Sequence, residues 1–332
     1  MESVNSEEMD KQSLWSQLKH FNWQRYASFI ALVFLIVLSS FLSPYFLKPQ
    51  NLINIMRQVS YTGIIGLGMT FVIITAGIDL SVGSLTAFTG AVVILTMNAA
   101  LKVVDNEVIV ILIGFITGIL VGGAAGAFNG FMITRGKIAP FIATLGSMAI
   151  FRSMSLYIGN AGEIQSHNSL YGEFGMGTFM FVPVPVFFLL GLAAVLNLVL
   201  NNTRYGRYLC AVGSNQKVAL FSAINVDKTK FIAYTLIGVL VGISAILLGS
   251  RFNAVSTSNM GLAFELDAIA AVIIGGTAMA GGRGTIWGTI FGALILGIIN
   301  NMLNMVGVSP YLQGTVKGIV IIAAVYVQKQ KQ

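Results

Sequence analysis

Charge is what this chain has least of. Charged residues make up 9% of its 332 positions and hydrophobic ones 56%, whereas an ordinary soluble domain carries about 25% charged residues. A globule of this length cannot cover its surface with solvated side chains at that density, which excludes a soluble enzyme and a disordered chain. Cysteine occurs once, at Cys210, so neither an intrachain disulfide framework nor a Cys-based metal cluster can form. Histidine occurs twice, as His20 in an N-terminal tail and His167 in a predicted outer loop. No zinc set, Cys/His pair or Ser/His/Asp arrangement can be assembled from them at one membrane depth. The phosphate-cradling G-x-x-x-x-G-K-[ST] loop is missing as well: the only Gly-Lys pair, Gly136-Lys137, is followed by Ile138. A chain without that loop is passive, ion-coupled or driven by a separate subunit.

What is present are long apolar runs. A spanning helix needs about 20 mostly apolar residues, and such runs occur near 27–47, 58–76, 80–100, 108–133, 140–158, 182–200, 230–250, 264–280, 285–306 and 314–327. The pattern predicts an all-α membrane protein of about ten transmembrane helices, with eight if short segments are re-entrant. With the N-terminus cytoplasmic, 13 of the 19 basic residues fall on inside segments. Lys48, Arg57, Lys102 and Arg251 fall outside, and Arg152 and Lys317 within spans. This excess predicts an N-in, C-in topology and makes the +7 net charge a matter of topology, with no nucleic-acid partner. Residues 1–26 read as a cytoplasmic tail, too polar and too acidic for a signal peptide. Within it Leu14, Leu18 and Phe21, with Trp15, Lys19 and Trp23, have the spacing of a helix lying in the interface; a disordered tail is the other reading. Residues 27–327 read as one polytopic transmembrane domain with a cytoplasmic loop at 201–230, and 328–332 as a short cytoplasmic tail.

The 37 glycines fall into ladders. Gly114, Gly118, Gly122, Gly126 and Gly130 repeat every four residues, as do Gly284, Gly288 and Gly292. That spacing keeps them on one helix face, where a neighbouring backbone can approach closely. Asp79, the first ladder and Pro140-Phe141-Ile142 recur in order as Asp267, the second ladder and Pro310-Tyr311-Leu312. The two sets sit at opposite ends of their spans, as an inverted-topology repeat requires.

Polar groups at membrane depth are the candidates for a path or a gate. Asp79 precedes an apolar run and reads as an N-cap; Glu265 and Asp267, before Ala268-Ile269-Ala270-Ala271, read the same way. Asn129, Thr144, Asn300, Asn301 and Asn304 offer hydrogen bonds to a hydroxyl-rich solute, and serve equally well between helices. In the basic loop 201–230, Ser214-Asn215 are placed to cap a short helix carrying Val218, Phe221 and Ile224. A short apolar helix there suits docking into a partner's groove or packing on the chain's own helix ends.

Several strings together resemble the membrane permeases of bacterial ATP-binding-cassette monosaccharide importers of the ribose type. They are GIDLSVGS at 77–84, PFIATLG at 140–146, TRYGRY at 203–208, AVGSN at 211–215, ELDAIAA at 265–271, GGT at 275–277, AGGRG at 280–284 and INN at 299–301. The resemblance implies a type II importer-like permease fold in the bacterial inner membrane and a dimer with a second copy or a sister permease. It implies cytoplasmic ATPase subunits that hold the ATP and magnesium, this chain carrying no cofactor and no catalysis of its own. A periplasmic or lipid-anchored sugar-binding protein would deliver the monosaccharide. Gly213, Ser214, Asn215, Val218, Phe221 and Ile224 would then form the coupling element. Phe221 and Ala223 depart from the smaller residues usual there in the family. An ion-coupled sugar transporter using Asp79, Glu265 or Asp267, a passive channel and a membrane scaffold are the alternatives.

Overall fold

The computed structural model describes residues 23–329, and the expected interfacial helix around Leu14, Leu18 and Phe21 lies outside them. Within them the chain is helical almost throughout. The first five helices are α1 (Trp23–Leu42), α2 (Pro49–Ile74), α3 (Val82–Ala100), α4 (Glu107–Thr134) and α5 (Pro140–Ile158). A short strand β1 (Glu163–Gln165), helix α6 (Ser169–Met176) and the hairpin β2 (Thr178–Phe179) and β3 (Val182–Pro183) follow. Then come α7 (Val184–Asn202), α8 (Arg204–Ser214), α9 (Gln216–Phe221) and α10 (Val226–Phe252). Strand β4 (Ala254–Ser256), α11 (Phe264–Ile274), α12 (Ile286–Met305) and α13 (Pro310–Lys329) complete it.

Seven of these helices, α2, α3, α4, α5, α7, α10 and α12, are long and apolar enough to cross a bilayer, so the chain is a multi-pass integral membrane protein. One expected span is corrected. Residues 264–280 form not a span but the 11-residue α11 and a loop, a rise of about 16 Å, half the hydrocarbon thickness. Left-handed backbone at Ala263 precedes it, and Gly276, at φ +92°, follows it.

Local chemistry sets the other ends. Pro49 and Pro140 open α2 and α5 at positions where a missing N–H costs nothing. Asn106, Asn225 and Thr285 accept hydrogen bonds from the first turns of α4, α10 and α12.

The connections gather at two ends of the bundle. At the basic end, Gly282 N–H donates to the Ile74 carbonyl and Lys137 pairs with Asp227 at 2.8 Å. At the hairpin end, β1 and β4 pair antiparallel and Asn98 Nδ2 donates to the Gln165 carbonyl. The core is built on α2 and α10, the former almost wholly enclosed. The first ladder meets α10: a Cβ on Gly122 or Gly126 would collide with the carbonyl of Gly238 or Tyr234. The second ladder is different, because Gly292 lies against Ala271 of α11 and Gly288 against Gly275 just after it, in their own half. The two ladders are therefore not equivalent faces.

The helices α3 and α11 run in opposite directions, and their N-termini meet inside the bundle. There Gly83 backs onto the Gly261 carbonyl and the Glu265 carboxylate. Two partial positive helix ends thus converge at one depth, and Asp79, Glu265 and Asp267 supply the negative charge that suits them.

Candidate functional site

A cavity of about 530 Å³ lies at the hairpin end between the two halves of the chain. Its walls come from α2 (Gln58, Tyr61, Thr62), the end of α10 (Arg251, Phe252), the 254–262 segment, α11 (Phe264, Asp267) and α12 (Leu296, Gly297, Asn300), with Glu163 from β1. The α2 and α12 walls stay close because Gly297 leaves room for Val59.

Among the described residues, two that line this wall carry a buried polar atom without a hydrogen-bond partner: the Tyr61 hydroxyl and Asn300 Oδ1. Their side chains are 1% and 7% exposed. Leaving such a group unsatisfied costs about 1–3 kcal/mol, and native proteins keep few of them, so each calls for an explanation. The one acidic wall residue at depth is neutralised: Asp267 pairs with Lys317 of α13 at 2.9 Å, both side chains less than a fifth exposed. The wall is therefore apolar, with hydrogen-bonding groups and little free negative charge, as an uncharged polar solute requires.

The structure separates the predicted site residues into three groups. Asp267 and Asn300 reach the cavity. Asp79 and Asn129 lie instead in a buried cluster toward the basic end. There Asp79 accepts from the N–H and hydroxyl of Ser81 and from Asn129 Nδ2, and Ser147 donates to Asn129 Oδ1. Asp79 is thus no N-cap. Ala76, at φ +59°, turns the chain away from α2, α3 begins only at Val82, and the Asp79 carboxylate closes the turn before it. Glu265 and Asp267 likewise lie within the first turn of α11, whose cap Ala263 makes no side-chain bond. Thr144 is spent on its own helix, bonding the Pro140 carbonyl. Asn301 exchanges amide hydrogen bonds with Asn51, and Asn304 accepts from Gln313, so both join helices. Arg152, expected within a span, donates to the carbonyls of Thr257, Ser258 and Met260 and so pins the segment leading into α11.

Sequence reading missed Gln58, Tyr61 and Thr62. Their spacing of three and four makes a polar stripe on one face of an otherwise apolar α2, a signal open to reading without the structure. Arg251 carried no such signal.

At the basic end, the Asn215 side chain accepts from the N–H groups of Lys217 and Val218 and starts α9. Two expectations change here. Ser214 does not cap; it ends α8, its hydroxyl beside Gly282. Ile224 lies beyond α9, which stops at Phe221 before Ala223 turns left-handed at φ +59°. Val218 and Phe221 are exposed, Phe221 at 88%, and Leu220 joins them. Gly213 sits against the Ile74 carbonyl and Gly282 N–H, which fastens α8 to the end of α2 and to the loop after α11. Burial pushes the pKa of the Cys210 thiol above its ordinary value. Among the described residues, no group of three or more His, Cys, Asp and Glu is arranged to hold a metal.

The comparisons with known proteins agree along nearly the whole chain. The ribose import permease protein RbsC of Bacillus subtilis is 42% identical over 310 residues, 93% of this chain and 94% of the relative. The D-allose transport system permease protein AlsC of Escherichia coli is 39% identical over 315 residues, 93% and 94% of the two chains. The galactose/methyl galactoside import permease protein MglC of Salmonella typhimurium is 35% identical over 315 residues, 91% and 93%. No solved structure matches. A family profile described as the branched-chain amino acid transport system / permease component matches residues 51–325, and the chain belongs to that family.

Proposed function

We propose that this chain is the transmembrane permease subunit of an ATP-driven importer of a monosaccharide, ribose or a related pentose or hexose. In this reading it forms the translocation path but hydrolyses nothing itself. Cytoplasmic ATPase subunits hold ATP and magnesium, a periplasmic or lipid-anchored binding protein delivers the sugar, and a second copy or sister permease completes the path. The observation that carries the reading is the cavity between the two halves, with its two unpartnered hydrogen-bonding groups and its neutralised carboxylate. The relatives, named as permeases for three different monosaccharides, support the same solute class.

The basic end is then the cytoplasmic end of a protein of the bacterial inner membrane, with both termini on the cytoplasmic side and the cavity open toward the outside. Ten elements enter the membrane, α11 crossing half of it. Gly213, Ser214, Asn215, Val218, Phe221 and Ile224 form or support the contact with the ATPase, and Phe221 is its most prominent apolar group. Asp79, Asn129, Glu265, Asn301 and Asn304 hold the helices in shape and Thr144 bonds within its own helix, while Asp267 and Asn300 line the path.

Reconstitution in vesicles with the ATPase and a sugar-binding protein tests this. Monosaccharide uptake is expected to require ATP and to persist with an uncoupler. Uptake that survives without ATP and collapses with an uncoupler sinks the proposal in favour of an ion-coupled carrier. Tyr61→Phe combined with Asn300→Leu is expected to lower uptake about tenfold, the loss of roughly one hydrogen bond's worth of contact, with no loss of thermal stability.

A further inference from the structure

The segment after α5 behaves unlike an aqueous loop. Its helix α6 lies over the ends of α4 and α10, with the Leu170 N–H donating to the Glu107 carboxylate and Gly175 against Ser250 and Arg251, and it sends aromatic side chains inward. The Tyr171 hydroxyl donates to the Ile246 carbonyl at 2.7 Å, and Ile246 lies six residues inward from the end of α10, about 9 Å along its axis. Phe174 packs edge-on to Phe115 and Phe188, with ring centroids 5.8 and 6.1 Å away. Phe115 is eight residues inside the start of α4, about 12 Å, and Phe188 four residues inside α7, about 6 Å. The start of α7 therefore lies about 6 Å further in along the bundle than the start of α4.

The tip of that hairpin is apolar. Phe179, Met180 and Phe181 are 62%, 79% and 84% exposed. Met180 and Phe181 are the two central turn residues, both left-handed, at φ 47° and 65°, positions that ordinarily take Asn and Gly. Bulky apolar side chains held there against the backbone preference gain nothing from water. The Phe179 ring meets Phe187 of α7 at 6.2 Å. From there the surface continues into the exposed apolar face of α7, including Leu190, Val195 and Leu198. No Asp, Glu, Lys or Arg occurs from 174 to 203. By contrast, the α3–α4 connection at the same end carries Lys102 and Asp105.

We infer that the 169–183 segment is a re-entrant interfacial element whose hairpin tip, Phe179–Met180–Phe181, is seated at the headgroup–acyl boundary of the lipid leaflet at the hairpin end. The tip folds its own backbone into a two-residue turn, as irregular chain at that depth requires. Its anchorage reaches the cavity wall by two contacts: Gly175 lies against Ser250 and Arg251, and Arg57 Nη2 donates to the Met176 carbonyl at 2.9 Å. The assignment concerns lipid alone and stands whatever solute the cavity takes.

The test is depth-resolved quenching in phosphatidylglycerol–phosphatidylcholine vesicles. Phe181→Cys and, separately, Met180→Cys are made in the full chain carrying Cys210→Ser, and each is labelled with bimane. Val103→Cys, on the α3–α4 connection and 84% exposed in the parent, serves as the aqueous control. Lipids brominated near the top of the acyl chain are expected to quench both tip labels about twofold and to leave the control unchanged, with iodide acting the opposite way. Either tip label giving this result in a monodisperse protein supports the anchor. Tip labels quenched by iodide as strongly as the control overturn it. So does a tip that is open to iodide until a sugar-binding protein is added, since the occupant is then a protein.

Discussion

At the scale of single residues, backbone approach decides what this protein tolerates. A methyl group on Gly122 would meet the Gly238 carbonyl and the backbone of Gly242, whereas one on Gly146 of α5 would meet nothing within 4 Å. Gly122→Ala is expected to cost about 1–3 kcal/mol, the range for overpacking a close-packed contact, and Gly122→Leu to prevent a stable bundle. Gly146→Ala is expected to be neutral or stabilising, since Ala is the better helix former. Thermal melting in detergent compares the three, and a Gly122→Leu protein of normal stability refutes the packed-face reading. The spacing of the first ladder was legible in the sequence, but its partner was not. Gly238 and Gly242, also four apart, lie in a different run, and only the tertiary contact joins the two. The same holds for Asp267 and Lys317, each noticed alone as an unusual charge. Removing one partner of a buried pair is far costlier than removing both. Lys317→Met is therefore expected to destabilise by about 3–5 kcal/mol, and Lys317→Met with Asp267→Asn by much less. Equal losses for the single and double variants contradict a coupled pair.

At the scale of elements, caps and breaks were easier to read than roles. Pro140 and the loop asparagines announce helix starts by local chemistry, so those boundaries follow from sequence. The shortness of α11 does not, because an apolar run looks the same whether it crosses a membrane or stops halfway. The break at Gly275-Gly276 lies inside the run that hydropathy joins. The small helix α9 was legible from Asn215 and the apolar residues after it, but its reach was overestimated by Ile224. What the sequence could not convey is how α9 is fastened. Through α8, Gly213 abuts the Ile74 carbonyl and Gly282, so α9 is tied to the end of α2 and to the loop after α11, and the proposed coupling would run through these two attachments. Phe221→Asp leaves every internal contact of α9 in place, because that ring is 88% exposed. It is expected to insert and fold normally yet to abolish ATP-driven uptake, by placing a charge where an apolar groove should receive a ring. Uptake at the parental rate removes α9 from the coupling role.

At the scale of the whole molecule, two opposed halves share one membrane depth. The N-termini of α3 and α11 meet there, and the cavity occupies one side of that meeting point. The acidic clusters differ with position: Asp79 is closed off by Ser81 and Asn129, while Asp267 faces the cavity and is held by Lys317. Charged groups gather along the seam and at the two ends, and the proposed orientation rests on the difference between those ends. Arg135, Lys137, Arg204, Arg207, Lys217 and Arg283 lie on connections or short helices of the basic end, and Lys228 in the first turn of α10; the proposed orientation puts this end on the cytoplasmic side, where positive charge is retained. The opposite end offers fewer basic residues, Lys48, Arg57, Lys102 and Arg251, alongside Asp105, Glu107, Glu163 and Glu173, and part of its loop surface is given over to the apolar hairpin. In cells carrying the chain with Cys210→Ser, a membrane-impermeant maleimide is therefore expected to label Val103→Cys in intact spheroplasts. It should label Ala223→Cys, on the exposed turn after α9, only after permeabilisation. The reverse pattern would put the cavity on the cytoplasmic side and α9 out of reach of any ATPase, overturning orientation and coupling together. Equal labelling of both sites would mean a mixed population, in which basic-end charge does not set the topology.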